Sequence, residues 1–408
     1  MLTAAALCIR HETGYARAVR LSLLSLAFGN FVIGSGALVF IGLLDSVAKD
    51  LDVSIAAAGQ IAGLYSLGIC VSGPVLGALT SRMDRRNLLT ISLGLFAVGH
   101  AWAALVNSYA ALLAVRILTS FAGTLYTPQA AGTAALLVSP ERRARTMAFV
   151  FLGWSLSAVV GLPAGAWIGT HYGYRTALWL IAGLATLGTL IGYVQIPRAL
   201  HVAVITSQAW RALVKHPALT RVVSVTMIHA SAQFVLFSYL VVAYRDALAA
   251  GPDLTAILLG VMGAAGFLGN IVAGTLADRL GTELVIHSAI GSMLCAFVVW
   301  LGLFALGPSP LSSVLAVVAA LLWGAGNFSA NSMQQVRLVN LAPELASVSV
   351  ALNTSAIYLG QFIGAGVGGL VLTAELTRPA SRALPYIGLP VFVFALWVSI
   401  RAQRRAAA

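Results

Sequence analysis

The chain carries apolar blocks that are too long for a soluble protein. Residues 21–44 contain no charge, and neither do residues 55–80. Crossing a bilayer core takes about 20 helical residues at about 1.5 Å each. A soluble domain is about 25% charged, whereas this chain is 9% charged and 60% hydrophobic. Folded in water, it would lack the polar groups needed to cover its surface. The blocks predict an all-α membrane protein with spans at 21–44, 55–80, 88–106, 110–138, 146–170 and 175–196. After a connector, further spans follow at 221–243, 254–277, 284–306, 311–336, 346–373 and 383–400. The first block is longer than a signal-peptide core and has no small-residue cleavage site after it, so it reads as a retained span.

Charge placement orients these twelve spans. An even number puts both termini on one side of the membrane. Of the 24 Lys and Arg residues, 18 fall on the termini side, five on the other, and Arg116 lies within a span. Positive residues concentrate in cytoplasmic loops, so both termini are expected in the cytoplasm. The same scatter removes nucleic acid as the partner for the net charge of +12. The lipid bilayer is the partner instead. In the longest connector, 197–220, Trp210, Leu213 and Val214 sit beside Arg211 and Lys215. That pattern fits a short amphipathic helix on the membrane surface or a plain linker.

Several chemistries have no residues to perform them. Cys8, Cys70 and Cys295 show no paired or metal-type spacing. There is no phosphate-binding glycine loop, and the only lysines are Lys49 and Lys215. No nucleophile and base are spaced for catalysis. The expectation is a chain with no cofactor, no metal and no enzymatic activity.

The sequence repeats. Gly77-Ala-Leu-Thr-Ser-Arg82-Met-Asp84-Arg85-Arg86 follows the second span, and Gly274-Thr-Leu-Ala-Asp278-Arg279-Leu-Gly281 follows the eighth. Two related halves are therefore expected, 1–196 and 221–408, joined by 197–220. Repeated halves rocking about a midplane site are a common transporter design. Gly77 is expected to let a neighbouring helix approach closely.

These loops resemble the G-x-L-x-D-R-x-G-R-R signature of the major facilitator superfamily. The second copy keeps the acidic slot as Asp278; the first places Ser81 there and Asp84 at the glycine. The span around Arg116, with Gly123 seven residues on, resembles the family's embedded arginine. Gly153 and Gly161-Leu-Pro163-Ala-Gly165 resemble the signature of its drug:proton antiporter branch, and the chain as a whole is similar to arabinose-efflux-like permeases. The resemblance implies two pseudo-symmetric six-helix bundles in a bacterial cytoplasmic membrane. It also implies a monomeric exporter of a small organic solute, driven by protons. It assigns Gly77, Arg82, Asp84, Arg85, Arg86, Gly274, Asp278 and Arg279 to conformational gating; the arginines could equally be topology anchors. An importer or facilitator of the same fold, or a non-transporting receptor, stays open.

Polar residues inside spans nominate the site. An arginine at bilayer depth costs about 2.5–3.5 kcal/mol, so it usually faces a cavity or a partner. Arg116 is read as a cavity cation, with Thr127 further along its face. Asn30, His229, Gln233, Asn327, Asn331, Gln334 and Asn353 are the other candidate cavity residues, because amides facing lipid would leave hydrogen bonds unmade. No Asp or Glu lies deep in a span; Asp45 comes closest. Proton coupling is therefore expected from histidine, which titrates nearest neutrality. His229 ranks before His100, with Arg116 opposing its protonation and Asp45 in reserve.

Overall fold

Apolar helices with polar ends need a cap at each end more than they need an amphipathic face. The computed structural model describes residues 2–139, 142–200, 211–213 and 215–407. It contains twelve membrane-length helices: α1 Arg17–Gly42, α2 Ile55–Leu79, α3 Arg85–Leu105, α4 Tyr109–Leu136, α5 Arg145–Tyr172 and α6 Tyr174–Gln195. The second six are α7 Pro217–Phe237, α8 Pro252–Leu280, α9 Thr282–Leu306, α10 Pro310–Leu341, α11 Val348–Thr373 and α12 Ala380–Gln403. Ser54, Asp84, Ser108 and Ser309 cap α2, α3, α4 and α10 through their side chains. Pro217, Pro252 and Pro310 open α7, α8 and α10, where a missing N–H costs nothing. Gly173 and Gly281 link α5 to α6 and α8 to α9 at φ of 83° and 86°, a backbone region that strongly favours glycine.

Each six-helix group packs into its own bundle, and the two are pseudo-symmetric. The first helix of each bundle breaks near its far end. α1 gives way at Leu43 to a short helix, Leu44–Asp50. α7 gives way at Ser238–Tyr239 to Leu240–Leu248. The apolar pattern predicts an unbroken seventh span to 243, because no proline or glycine marks the break. Outward-facing residues are bare hydrocarbon: Leu79, Val194 and Leu370 are each more than 70% exposed. Lipid is the solvent such surfaces require.

Small residues set the packing inside the first bundle. A Cβ at Gly153 would lie 2.1 Å from the Ala27 carbonyl, and one at Gly161 2.1 Å from Ser35 Oγ. A Cβ at Gly165 would press on Val39. α1 and α5 therefore touch nearly backbone to backbone, as small-residue seams permit. Between Gly153 and Pro163, α5 widens into one π turn, Ser157–Gly161. Pro163 has no N–H to give the turn before it, and the bulge absorbs the missing bond.

The expected close packing at Gly77 is not found. A Cβ there, or at Gly274, would meet nothing within 4 Å. The amphipathic reading of the connector falls partly outside the described residues, at Trp210 and Val214. Within them, Leu213 is buried against Leu219, Val222 and Leu338, while Arg211 and Lys215 are exposed.

Candidate functional site

The two bundles meet along α2–α11 and α5–α8. At Gly263 of α8 a Cβ would lie 2.3 Å from the Ala158 carbonyl of α5, so these helices cross at close range. Polar contacts along the seam are one-sided. Gln60 Nε2 donates to Tyr239 Oη and to the Ala365 carbonyl, each at 3.2 Å. Tyr239 Oη donates to the same carbonyl within the second bundle. Ser66 Oγ donates to Gln361 Oε1 at 2.9 Å, near mid-membrane. Trp167 Nε1 donates to Asp253. Arg245 pairs with Asp45 at 2.5 Å across the far surface. Among the described residues, no hydrogen bond or ion pair joins the bundles on the termini side.

Asp45 is thus a far-side bridging residue, not a group inside the pathway. Both partners are roughly 40% exposed or more, so solvent screens the pair and it contributes about 0–1 kcal/mol. It borders a crevice of about 210 Å³ that also touches Gly42, Ala166, Val241 and Pro252.

Arg116 is enclosed instead of facing an open cavity. Its guanidinium lies 4.2 Å from the ring centres of both Phe40 and Tyr65. Its Nη atoms reach His100 Nε2 and the Gly36 carbonyl, each at 3.2 Å. The other ring nitrogen of His100 meets the Phe96 carbonyl. Among the described residues no carboxylate pairs with it. Aromatic faces, worth about 0.5–2 kcal/mol each, and two acceptors therefore hold a full charge. His100 must present a lone pair to Arg116, which fixes it as the neutral tautomer protonated on Nδ1. The sequence could not foresee Phe40 and Tyr65 as partners, because aromatic residues in spans are ordinary.

The candidates in the second bundle divide. Gly324 and Phe328 of α10 lie against Met262 and Gly266 of α8. On the opposite flank Trp323 meets Phe237 of α7 and Phe297 of α9. Asn327 and Asn331 lie between these flanks, half-buried and bonded to each other at 2.9 Å. Gln334 and Asn353 are buried, and none of their side-chain polar atoms has a partner among the described residues. Gln334 lies seven residues before Leu341 and Asn353 seven after Ala346, which puts both at one depth.

The other candidates lie as follows. His229 does not line the space between the bundles: its Nε2 lies 3.0 Å from Met293 Sδ and its ring meets Phe392 edge-on. α7 is enclosed on nearly all sides, so a polar residue on it can point away from the partner bundle. Gln233, one turn on, is equally buried. Asn30 donates to the Val150 carbonyl of α5 at 3.1 Å, tying two helices of one bundle. Thr127 accepts from Trp154 Nε1 and is half-buried.

The paired loops differ. Asp84 caps α3 and accepts the Leu200 N–H, while buried Arg85 donates to Gln129 and the Ser81 carbonyl. Arg86 lies over Tyr193. Arg82, Asp278 and Arg279 are exposed. The second bundle puts its buried cation elsewhere. Arg337 Nε lies 2.7 Å from Glu283 Oε1, an ion pair off the hydrogen-bond axis.

The family model for the Major Facilitator Superfamily matches residues 26–365. The inner membrane transport protein YdhP of Escherichia coli K12 is 29% identical over 383 residues, covering 94% of this chain and 96% of that protein. The MFS-type transporter YtbD of Bacillus subtilis is 28% identical, covering 86% and 88%. Among solved structures, the nucleoside transporter NupG superposes with a TM-score of 0.74 at 15% identity, covering 95% of this chain and 98% of that one. A bacterial homologue of the human lysosomal transporter Spinster superposes at 0.69 and 16%, covering 95% and 96%. At such identities the superpositions speak for the fold alone. Helix count, bundle symmetry and sequence agree: this multi-pass membrane protein belongs to the Major Facilitator Superfamily of transporters.

Proposed function

We propose that the chain is a secondary transporter that exports a small organic solute by alternating access, with both termini in the cytoplasm. One observation carries this reading. Among the described residues, every polar contact between the bundles lies from mid-membrane to the far side, and we assign the half-buried Asn327–Asn331 pair to the space between the bundles. A device that opens one side at a time needs one-sided contacts and a polar midplane surface. With the termini cytoplasmic, this conformation faces inward. Residues 1–196 and 221–408 then rock as two bodies, with 197–220 as their tether.

Asn327, Asn331, Gln334 and Asn353 supply amide donors and acceptors for the solute. The unmet hydrogen bonds of Gln334 and Asn353 support this, because buried polar groups rarely stay unpaired. For proton coupling we prefer His100 to His229. Protonating His100 would set two cations 3.2 Å apart and push Arg116 out of its aromatic box. The contacts of His229 among the described residues are Met293 Sδ and the Phe392 ring, both packing groups.

The test is flux in proteoliposomes with an imposed pH gradient. The probe is the metabolite or drug that most raises thermal stability of the purified protein in a screen of sugars, nucleosides, amino acids and drugs. His100→Gln should abolish gradient-driven accumulation yet keep exchange at equilibrium, and His229→Gln should keep both. Full accumulation by His100→Gln would remove the coupling role. Failure of every solute to move under any gradient would remove the transporter reading.

A further inference from the structure

We infer that the termini-side ends of α7 and α12 form a binding site for the phosphate of an anionic phospholipid. Arg221, Trp397, Val398, Arg401 and Ala402 enclose a groove of about 230 Å³ there. Arg221 lies four residues into α7, and Arg401 lies two residues before the end of α12. Both guanidiniums therefore stand at the level where lipid headgroups lie. Arg401 is held in place, its Cζ 3.9 Å over the Trp397 ring. A stacked arginine keeps its edge donors free for phosphate oxygens.

The rest of the surface matches a lipid and not a soluble anion. Along α12, Val393, Phe394 and Trp397 are each 46–51% exposed, and the last two rings stack at 5.7 Å. This wall descends from the groove toward mid-membrane, where an acyl chain would run. At the same end of α7, Leu213 is buried against Leu219 and Val222, while Arg211 and Lys215 are exposed. Among the described residues neither groove arginine has an ion-pair partner. Two cations facing one phosphate leave net positive charge, so lipids without a headgroup ammonium are favoured. Indole and guanidinium together are groups typical of the membrane interface.

The experiment uses the full-length protein in detergent, titrated separately with phosphatidylglycerol, phosphatidylcholine and inorganic phosphate. Binding is read by native mass spectrometry and by the thermal unfolding midpoint. Phosphatidylglycerol should bind at least about tenfold more tightly than phosphatidylcholine, and millimolar inorganic phosphate should not protect. Arg221→Gln with Arg401→Gln should remove that preference. Arg221→Lys with Arg401→Lys, the milder change should the first pair not fold, should weaken it several-fold, since lysine loses the guanidinium fork. Arg142→Gln with Arg143→Gln, exposed arginines of the other bundle, should leave it intact. A wild-type preference in either double variant at the groove would overturn the site. Equal protection by inorganic phosphate would overturn the lipid assignment.

Discussion

The two bundles share a fold but fill their centres with opposite chemistry. The first encloses a cation with no carboxylate partner among the described residues: Arg116 lies between Phe40 and Tyr65, with His100 and the Gly36 carbonyl as acceptors. The second encloses an aromatic stack. Trp323, Phe297 and Phe392 follow one another at ring separations of 5.0 and 4.9 Å, and His229 closes the stack at 5.5 Å. A buried ion pair or lone charge is a poor way to stabilise a protein. An aromatic cluster is a good one. The difference teaches that one bundle encloses a charge where an apolar group would serve stability better, while the other fills the corresponding space with packed rings.

The largest effect expected from this contrast is on the aromatic side. Trp323→Ala should cost about 3–5 kcal/mol of stability, read as a lowered unfolding midpoint. Arg116→Met should leave the midpoint nearly unchanged, because an apolar side chain of similar length fills the same box. Transport by that variant should fall at least about tenfold. If Arg116→Met unfolds the protein while Trp323→Ala does not, the division of labour is reversed.

A smaller effect separates the two loop copies. Asp84→Ala removes a helix cap and the link to Leu200, and should cost about 0.5–2 kcal/mol. Asp278→Ala, at an exposed position, should stay within about 0.5 kcal/mol yet slow conformational exchange, followed by labelling kinetics of a cysteine introduced in the opening. Equal destabilisation by both variants would show that the loops are structurally equivalent.

The smallest effect concerns the bridge between the bundles. Asp45→Asn should raise labelling of a cysteine at Thr170, in the far-side crevice, by no more than about fivefold. That ceiling follows from the modest strength of an exposed ion pair. A hundredfold rise would make this one pair the lock of the closed state and give the far surface more weight than the bundle centres.

Much of the site was legible as residue type and little of it as direction. The amides of α10 stand out in the sequence because a polar stripe in a span is expected to turn away from lipid, and Asn327 and Asn331 are half-buried and bonded to each other. Asn30, His229 and Arg116 obeyed the same rule but turned inside a single bundle. Helical periodicity gives the angle of a side chain about its own helix, not which neighbour stands at that angle. Gln60, whose amide crosses to the other bundle, is not legible from sequence because one glutamine in a long span carries no pattern.

The sequence by itself determined the twelve spans, the charge bias between the two sides and the repeat of two halves. Each is dictated by the bilayer, which acts on length, hydropathy and loop charge with no need for a partner helix. Only the tertiary structure decided that α7 breaks at Tyr239, that Arg116 sits between two rings, that His229 belongs to a packing core, and that Asp45 reaches Arg245. Those outcomes depend on which helices stand side by side, and contacts between residues as far apart as Asp45 and Arg245 leave no local trace in the chain.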